Sequence, residues 1–194
     1  MSLPKSSILV YIRVSNSAQA FYIERLSASI EKKMKIQKLK IKKVVILDNI
    51  RSVYNVGSIF RTADALGIDT IYLCGTTPTP TDRFGRARKD LAKVALGAEK
   101  DIIWEYYSDT KKIMKKLQKE KFQILVVEQD KKSVNFKKVK IKYPVAIVMG
   151  NEVEGIEKDI LKLSDVILEI PMMGNKESLN VSVAFGIVGY QIFG

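Results

Sequence analysis

Three short stretches carry the residue types from which a reaction could be assembled. In DNIRSVYNVGSIFRTADALG, Asn55 and Gly57 precede a predicted helix bearing Arg61, Thr62 and Asp64. Asn55 suits an N-cap, and exposed helix-start amides with Arg61 one turn further on would make a phosphate-sized anion site. A capped helix in which Arg61 pairs with Asp64 or Asp48 needs the same residues. In VAIVMGNEVEGI an apolar run ends at Gly150, and Asn151 and Glu152 stand at its tip before a turn closed by Gly155. Glycine there lets backbone approach a ligand closely or adopt positive φ, although an ordinary strand-to-helix turn is spelled alike. In VILEIPMMGNKESLNVSVAFGIVGY an apolar strand leads into a loop with Pro171, adjacent Met172 and Met173, and Gly174, then a helix opened by Ser178. A solvent-facing loop has no need of two methionines, nor a routine helix start of Ser178, Asn180 and Ser182.

What the chain lacks narrows the chemistry. It has no histidine, which removes the commonest general base, the Ser-His-Asp and Cys-His arrangements, and histidine-held metals. Its single cysteine, Cys74, lies in the apolar run TIYLC and reads as a buried strand residue. No GxxxxGK[ST] run occurs and no GxGxxG follows a predicted strand, which argues against nucleotide hydrolases, kinases and dinucleotide oxidoreductases. No residues stand at metal-ligand spacing, so no metal is expected.

The elements that must position these residues form a repeating pattern. Short apolar runs at Val44–Leu47, Thr70–Cys74, Ile102–Tyr106, Phe122–Glu128, Val145–Met149 and Val166–Ile170 alternate with helical patterns at Gly57–Leu66, Asp90–Leu96, Thr110–Lys121, Ile156–Leu163 and Ser178–Ile192. That alternation is the signature of an α/β fold with a mostly parallel sheet flanked by helices. Ligands in such sheets bind near the carboxyl ends of strands, where all three stretches lie. Before Val44, Ser15 to Met34 reads as an amphipathic helix, and KKMKIQKLKIKK continues it, forms an edge strand or links it. A boundary at Lys43 gives a basic appendage, 1–43, and a main domain, 44–194.

Charge is placed unevenly along a chain of net +12. Residues 1–43 hold ten Lys or Arg against two Glu, a net of +8, whereas residues 144–194 hold three Lys against seven acids, a net of −4. One end therefore looks made for a polyanion, with RNA as the expected partner. Within TPTPTDRFGRARKD, Arg83, Arg86, Arg88 and Lys89 form the stretch expected to hold RNA near the reaction, because arginine outnumbers lysine there and suits bidentate phosphate recognition. No apolar run approaches the roughly 18 residues of a membrane span, and the N-terminus lacks a signal-peptide pattern; a cytoplasmic location is expected.

The three stretches, in this order, resemble the three motifs of the SpoU or TrmH family of knotted RNA methyltransferases, the SPOUT class. NVGSIFRTA (55–63) is similar to the first, IVMGNEVEGI (147–156) to the second, and IPMMGNKESLNVSVA (170–184) to the third. The resemblance implies a C-terminal deep trefoil knot, a homodimer formed through it, S-adenosylmethionine bound bent within it, and methyl transfer to a ribose 2′-hydroxyl of tRNA or rRNA. It implies catalytic roles for Arg61, Asn55, Glu152, Ser178 and Asn180, and cofactor contacts at Gly150, Ile170, Met172 and Leu179. A non-catalytic RNA-binding protein with the same fold, or a knotted enzyme acting on a base nitrogen, is the alternative. Methyl transfer needs an in-line approach to the sulfonium carbon and removal of the hydroxyl proton. Because a guanidinium is a poor proton acceptor, Arg61 is expected to clamp a phosphate, leaving a phosphate oxygen, Glu152 or water to take the proton. The small and apolar residues of the last helix, with Val183, Ile187 and Tyr190, are expected to face a second subunit.

Overall fold

The computed structural model describes residues 42–194; the helix expected at Ser15–Met34 and the basic run after it lie outside them. Seven parallel strands form one sheet: β1 (Lys43–Asp48), β2 (Thr70–Cys74), β3 (Ile103–Tyr107), β4 (Gln123–Val127), the two-residue β5 (Val134–Asn135), β6 (Val145–Met149) and β7 (Val166–Glu169). Their spatial order is β3-β2-β1-β6-β4-β7-β5. The helices are α1 (Val53–Ala65), α2 (Lys89–Ala95), α3 (Ala98–Asp101), α4 (Thr110–Lys119), α5 (Lys158–Leu161) and α6 (Val181–Phe193), with a 3₁₀ turn at Phe136–Lys138.

Strand alternation divides the core cleanly. Val45, Leu47, Leu73, Ile147 and Met149 pack beneath α1, α2 and α6, whereas Val44, Ile46, Ile124, Val126 and Val148 pack against Ile113, Met114 and Leu117 of α4 and Ile160 of α5. Both faces are covered, which is why the strands read as unbroken apolar runs. All six expected strands agree with the structure to within one residue at either end, and Thr70–Cys74 and Val145–Met149 agree at both. The last ends at Glu169 rather than Ile170. The edge strand β5 and the four-residue α3 had no periodicity long enough to announce them.

Three helix starts differ from expectation by more than one residue, and α5 begins at Lys158 rather than Ile156. α1 begins at Val53, because Ser52 Oγ accepts the Asn55 amide at 3.3 Å and so caps the helix. Asn55 therefore sits inside the first turn with its side chain available elsewhere, and Gly57 lies within the helix rather than before it. α6 begins at Val181, capped by Asn180, whose side chain accepts the Ser182 amide at 2.9 Å; Ser178 remains in the preceding loop.

The chain end is anchored deep in the fold. α6 touches α1, β6 and the 3₁₀ turn of the β4-to-β6 crossover, and Phe136, Val139 and Ile141 of that crossover share its apolar cluster. Tyr143 Oη donates to Ile192 O at 2.9 Å, and Lys43 Nζ to Phe193 O at 2.7 Å. The last segment is thus packed against both sheet and crossover.

Gly57 marks where two helices touch. A Cβ there would lie 2.9 Å from Val94 Cβ and 3.0 Å from Leu91 O of α2. Alanine in a helix gains about 0.5–1 kcal/mol over glycine, but overpacking a tight contact costs about 1–3 kcal/mol. Gly57→Ala should therefore lower stability by about 1–2 kcal/mol in chemical denaturation, and a stabilised variant would show that the α1–α2 contact yields freely.

Candidate active site

At the carboxyl ends of β1 and β6 the chain must turn sharply. Asn49 takes φ of 54°, the left-handed region that asparagine tolerates better than most residues. Its carbonyl accepts Asn151 Nδ2 at 2.7 Å, and its side-chain oxygen accepts the Thr76 amide at 3.1 Å. Thr77 Oγ accepts the Ile50 amide and donates to Leu47 O, both at 3.0 Å. Three strand ends are thereby tied together through two buried side chains, Thr77 and Asn151.

The turn after β6 is shaped from within. Asn151 Oδ1 accepts the amides of Val153 and Glu154 at 2.8 and 2.9 Å, and Glu128 Oε2 accepts that of Ile156 at 2.9 Å. Gly155, not Gly150, carries the positive φ, 66°. What Gly150 excludes is a Cβ that would sit 2.2 Å from Ile156 Cγ1, so its first duty is to let the turn fold onto itself.

Between this turn, the end of β4 and the 170–181 loop opens a cavity of about 530 Å³. Gly150, Ile170, Met172 and Leu179 line it, as do Glu152, Ser178 and Asn180. The sequence thus located seven of nine expected catalytic and cofactor residues on one wall system. Met173 is not among them; it is 95% exposed, so only one of the two methionines turns inward. The lining includes four carboxylates, of Glu128, Glu152, Glu169 and Glu177, and no lysine or arginine.

Asn55 stands at the rim and joins the motifs. Its Nδ2 donates to Glu152 Oε1 at 2.8 Å, and its Oδ1 accepts Asn180 Nδ2 at 3.0 Å. Glu152 Oε2 also accepts the Arg51 amide at 3.2 Å. Partial burial is the strongest influence on Glu152 and would raise its pKa, but the donors from Asn55 and nearby backbone outweigh it together, and the group lies below the ordinary glutamate value. A carboxylate so satisfied is a weakened base, which favours a phosphate oxygen or water over Glu152 among the three expected proton acceptors.

Arg61 is not brought to the cavity. It lies six residues after Asn55, about 9 Å along the axis at 1.5 Å per residue, on an exposed face of α1. Among the described residues it pairs with neither Asp64 nor Asp48; Asp48 is buried and receives the Thr110 hydroxyl instead. Cys74 is likewise buried, and burial pushes its thiol up to about 12, as its apolar setting suggested.

A second concavity, about 760 Å³, flanks the loop between β2 and α2 and is lined by Arg83, Arg86 and Arg88 together with Phe84, Trp104 and Tyr106. The loop is ordered by hydrogen bonds rather than loose. Asp82 Oδ1 accepts the amides of Phe84 and Arg86 at 2.8 and 3.0 Å, and its Oδ2 accepts Arg86 Nε at 2.7 Å. Arg88 is paired with Asp90 at 3.1 Å, while Lys89 begins α2 outside the groove lining. Asp82, Phe84, Trp104 and Tyr106 were not among the residues expected to hold RNA, which were Arg83, Arg86, Arg88 and Lys89; the phenylalanine between the arginines was the available signal. Among the described residues, no group of three His, Cys, Asp or Glu is placed to hold a metal ion, and no helix is long and apolar enough to cross a membrane.

Residues 42–190 match the model of the SpoU rRNA Methylase family. A tRNA (guanosine(18)-2′-O)-methyltransferase of Aquifex aeolicus (strain VF5) is 31% identical over 169 residues, which are 87% of this chain and 74% of that protein. The structure of an AdoMet-bound rRNA methyltransferase from Sinorhizobium meliloti superposes with a TM-score of 0.71 at 26% identity, covering 78% of this chain and 56% of that one. The A. aeolicus TrmH/SpoU tRNA modifying enzyme superposes at 0.68 with 29% identity, covering 84% and 82%. The chain thus spans little more than half the length of the S. meliloti protein.

The donors on Glu152 stabilise its charged form, so their contribution to stability is whole above the ordinary value of 4.5 and is lost as pH falls through the lower folded value. Asn55→Leu should move the Glu152 titration upward when followed by carboxyl-carbon NMR. An unmoved curve would assign the depression to the backbone amides alone.

Proposed function

Because the chain belongs to the SpoU rRNA methylase family, we propose that it transfers a methyl group from S-adenosylmethionine to a ribose 2′-hydroxyl of tRNA or rRNA, acting in the cytoplasm as a homodimer. The observation that carries this reading is the acidic cavity lined by the second and third motif loops, to which Asn55 of the first is tied through Glu152 and Asn180. Its volume suits a ligand of cofactor size. Met149, Leu168, Ile170 and Val181 offer apolar walls to a flat heterocycle, and four carboxylates with no lysine or arginine favour a cation and repel a polyanion. Those residues fit S-adenosylmethionine, which when bound supplies an electrophilic methyl group on a sulfonium and needs no metal.

The chain's own groups then have separate tasks. Gly150, Ile170, Met172 and Leu179 enclose the cofactor. Ser178 and Asn180 present polar groups where the ribose must enter, and Glu152 holds Asn55 in place rather than taking the proton. Arg61, which its own chain holds on the exposed face of α1 outside the cavity, clamps a backbone phosphate of the RNA with its fork of N–H donors. The basic residues 1–43 gather RNA by sequence-independent attraction, as an appendage to the domain of residues 44–194.

The dimer reading is supported by the outer face of α6. Val183 is 49%, Ile187 39% and Tyr190 58% exposed in the single chain. Gly189 is accounted for within the chain, since a Cβ there would meet Leu66 Cδ1 at 2.8 Å, but a Cβ at Gly186 would meet only open space. A second copy packed on that face explains both the exposed apolar side chains and the unconstrained glycine.

Incubation with methyl-labelled S-adenosylmethionine and RNA from cells lacking the gene should place label in alkali-resistant dinucleotides, and Arg61→Ala should slow that step at saturating RNA. Label in a base would favour the base-nitrogen alternative, and cofactor binding without transfer the binding protein. In light scattering the protein should be twice the monomer mass, and Val183→Asp combined with Ile187→Asp should halve it; a monomeric parent would refute the dimer.

A further inference from the structure

From the loop between β2 and α2 we infer a second recognition site: Phe84, with the guanidinium groups of Arg83 and Arg86 over its ring, is a stacking platform for an unpaired nucleobase of the RNA substrate. This rests on the methyltransferase reading and adds to it the form of RNA that is gripped, a splayed single-stranded segment near the target.

The construction of the loop is the first argument. Phe84 is 66% exposed, and a free loop would fold such a ring back onto Trp104 and Tyr106, which line the same groove. Asp82 prevents that collapse by accepting the amides of Phe84 and Arg86 and the Arg86 side chain. The Thr81–Ala87 bridge and the Arg88 amide donating to Pro80 O at 2.9 Å close the base of the hairpin, and Gly85 supplies the positive φ, 76°, that the tip requires. The ring is thus held outward before any ligand arrives, and little further ordering entropy is lost on binding.

The second argument is the chemistry presented. The Arg83 and Arg86 Cζ atoms lie 4.8 and 5.0 Å from the Phe84 ring centroid. Unstacked bases pack on aromatic rings and on guanidinium planes alike. Arg86 is fixed by Asp82 and Arg88 by Asp90, while Arg83 makes no ion pair among the described residues and is the arm placed to reach a phosphate. The adjoining groove is of nucleotide size, and Tyr106, 52% exposed, is steadied there by its hydroxyl donating to Gly75 O at 3.0 Å.

The third argument is position. The platform stands at the β2–β3 side of the sheet and the acidic cavity at the β6–β4–β7 side, with β1 between them. At roughly 4.8 Å per strand they are on the order of 15–20 Å apart, a span of a few nucleotides. Phe84 therefore reads a neighbour of the methylated nucleotide rather than that nucleotide itself, and a base held in a duplex cannot reach it.

The test uses the full chain and two RNA probes, a short unstructured strand carrying one 2-aminopurine and the same sequence closed in a hairpin stem. The parent protein and Phe84→Trp should quench the 2-aminopurine of the open strand. Phe84→Leu should lose the quench and bind that strand about tenfold more weakly, with stem binding and calorimetric S-adenosylmethionine affinity unchanged. Retention of both quench and affinity in Phe84→Leu would overturn the platform and leave the methyltransferase reading standing. A parent protein that binds S-adenosylmethionine but neither RNA would overturn both.

Discussion

The structure turns on the hydrogen bond from Asn151 Nδ2 to Asn49 O. β1 and β6 are about 100 residues apart in sequence yet run side by side in register, Leu47 against Met149. Parallel pairing of this kind delivers two loops to one edge but does not fix how they lean. The buried Asn151 amide does so, because its other atom shapes the turn that carries Glu152. Burying an amide without partners costs several kcal/mol, about 2–7 depending on the reference state, so a misplaced loop is penalised steeply. Once the two loops are clasped, Glu152 meets Asn55, Asn55 meets Asn180, and the third loop is drawn over the cavity.

Charge divides the carboxyl edge of the sheet into two territories. The charged residues lining the cavity under β6, β4 and β7 are all acids, while the concavity beside β2 and β3 carries three arginines and one aspartate. A cationic small molecule and a polyanion can therefore occupy neighbouring sites without competing. The division follows the chain, since the acidic lining comes largely from residues 144–194, whose net charge is −4.

Much of this was legible in the sequence because strand burial on both faces leaves an unmistakable apolar run, as at Val145–Met149, and because glycines and polar residues at strand ends collect where a parallel sheet binds its ligands. Helix starts were less legible. Ser52 and Asn55 are both good caps, and only the geometry of the preceding turn decides between them. Arg61 was expected beside the cavity because sequence spacing conveys rise and rotation along a helix but not where the helix axis lies relative to the pocket. Glu152 stood among the three possible proton acceptors because nothing local reveals that donors from residues 51 and 55 converge on it. Phe84 went unnoticed because a single exposed aromatic is unremarkable until the loop beneath it is seen to be rigid.

The three-residue relay of Asn180, Asn55 and Glu152 has a direction. A carboxylate only accepts, so it must face the NH₂ end of the Asn55 amide. That leaves the Asn55 oxygen turned toward Asn180, which must answer with its own NH₂ end and so turns its oxygen onto the Ser182 amide and hydroxyl. The Ser182 backbone amide can only donate, so it imposes the same sense from the far end. The relay thus runs from an obligate acceptor at Glu152 to an obligate donor at the cap of the last helix, and neither Asn55 nor Asn180 can flip without leaving one of those two facing its own kind.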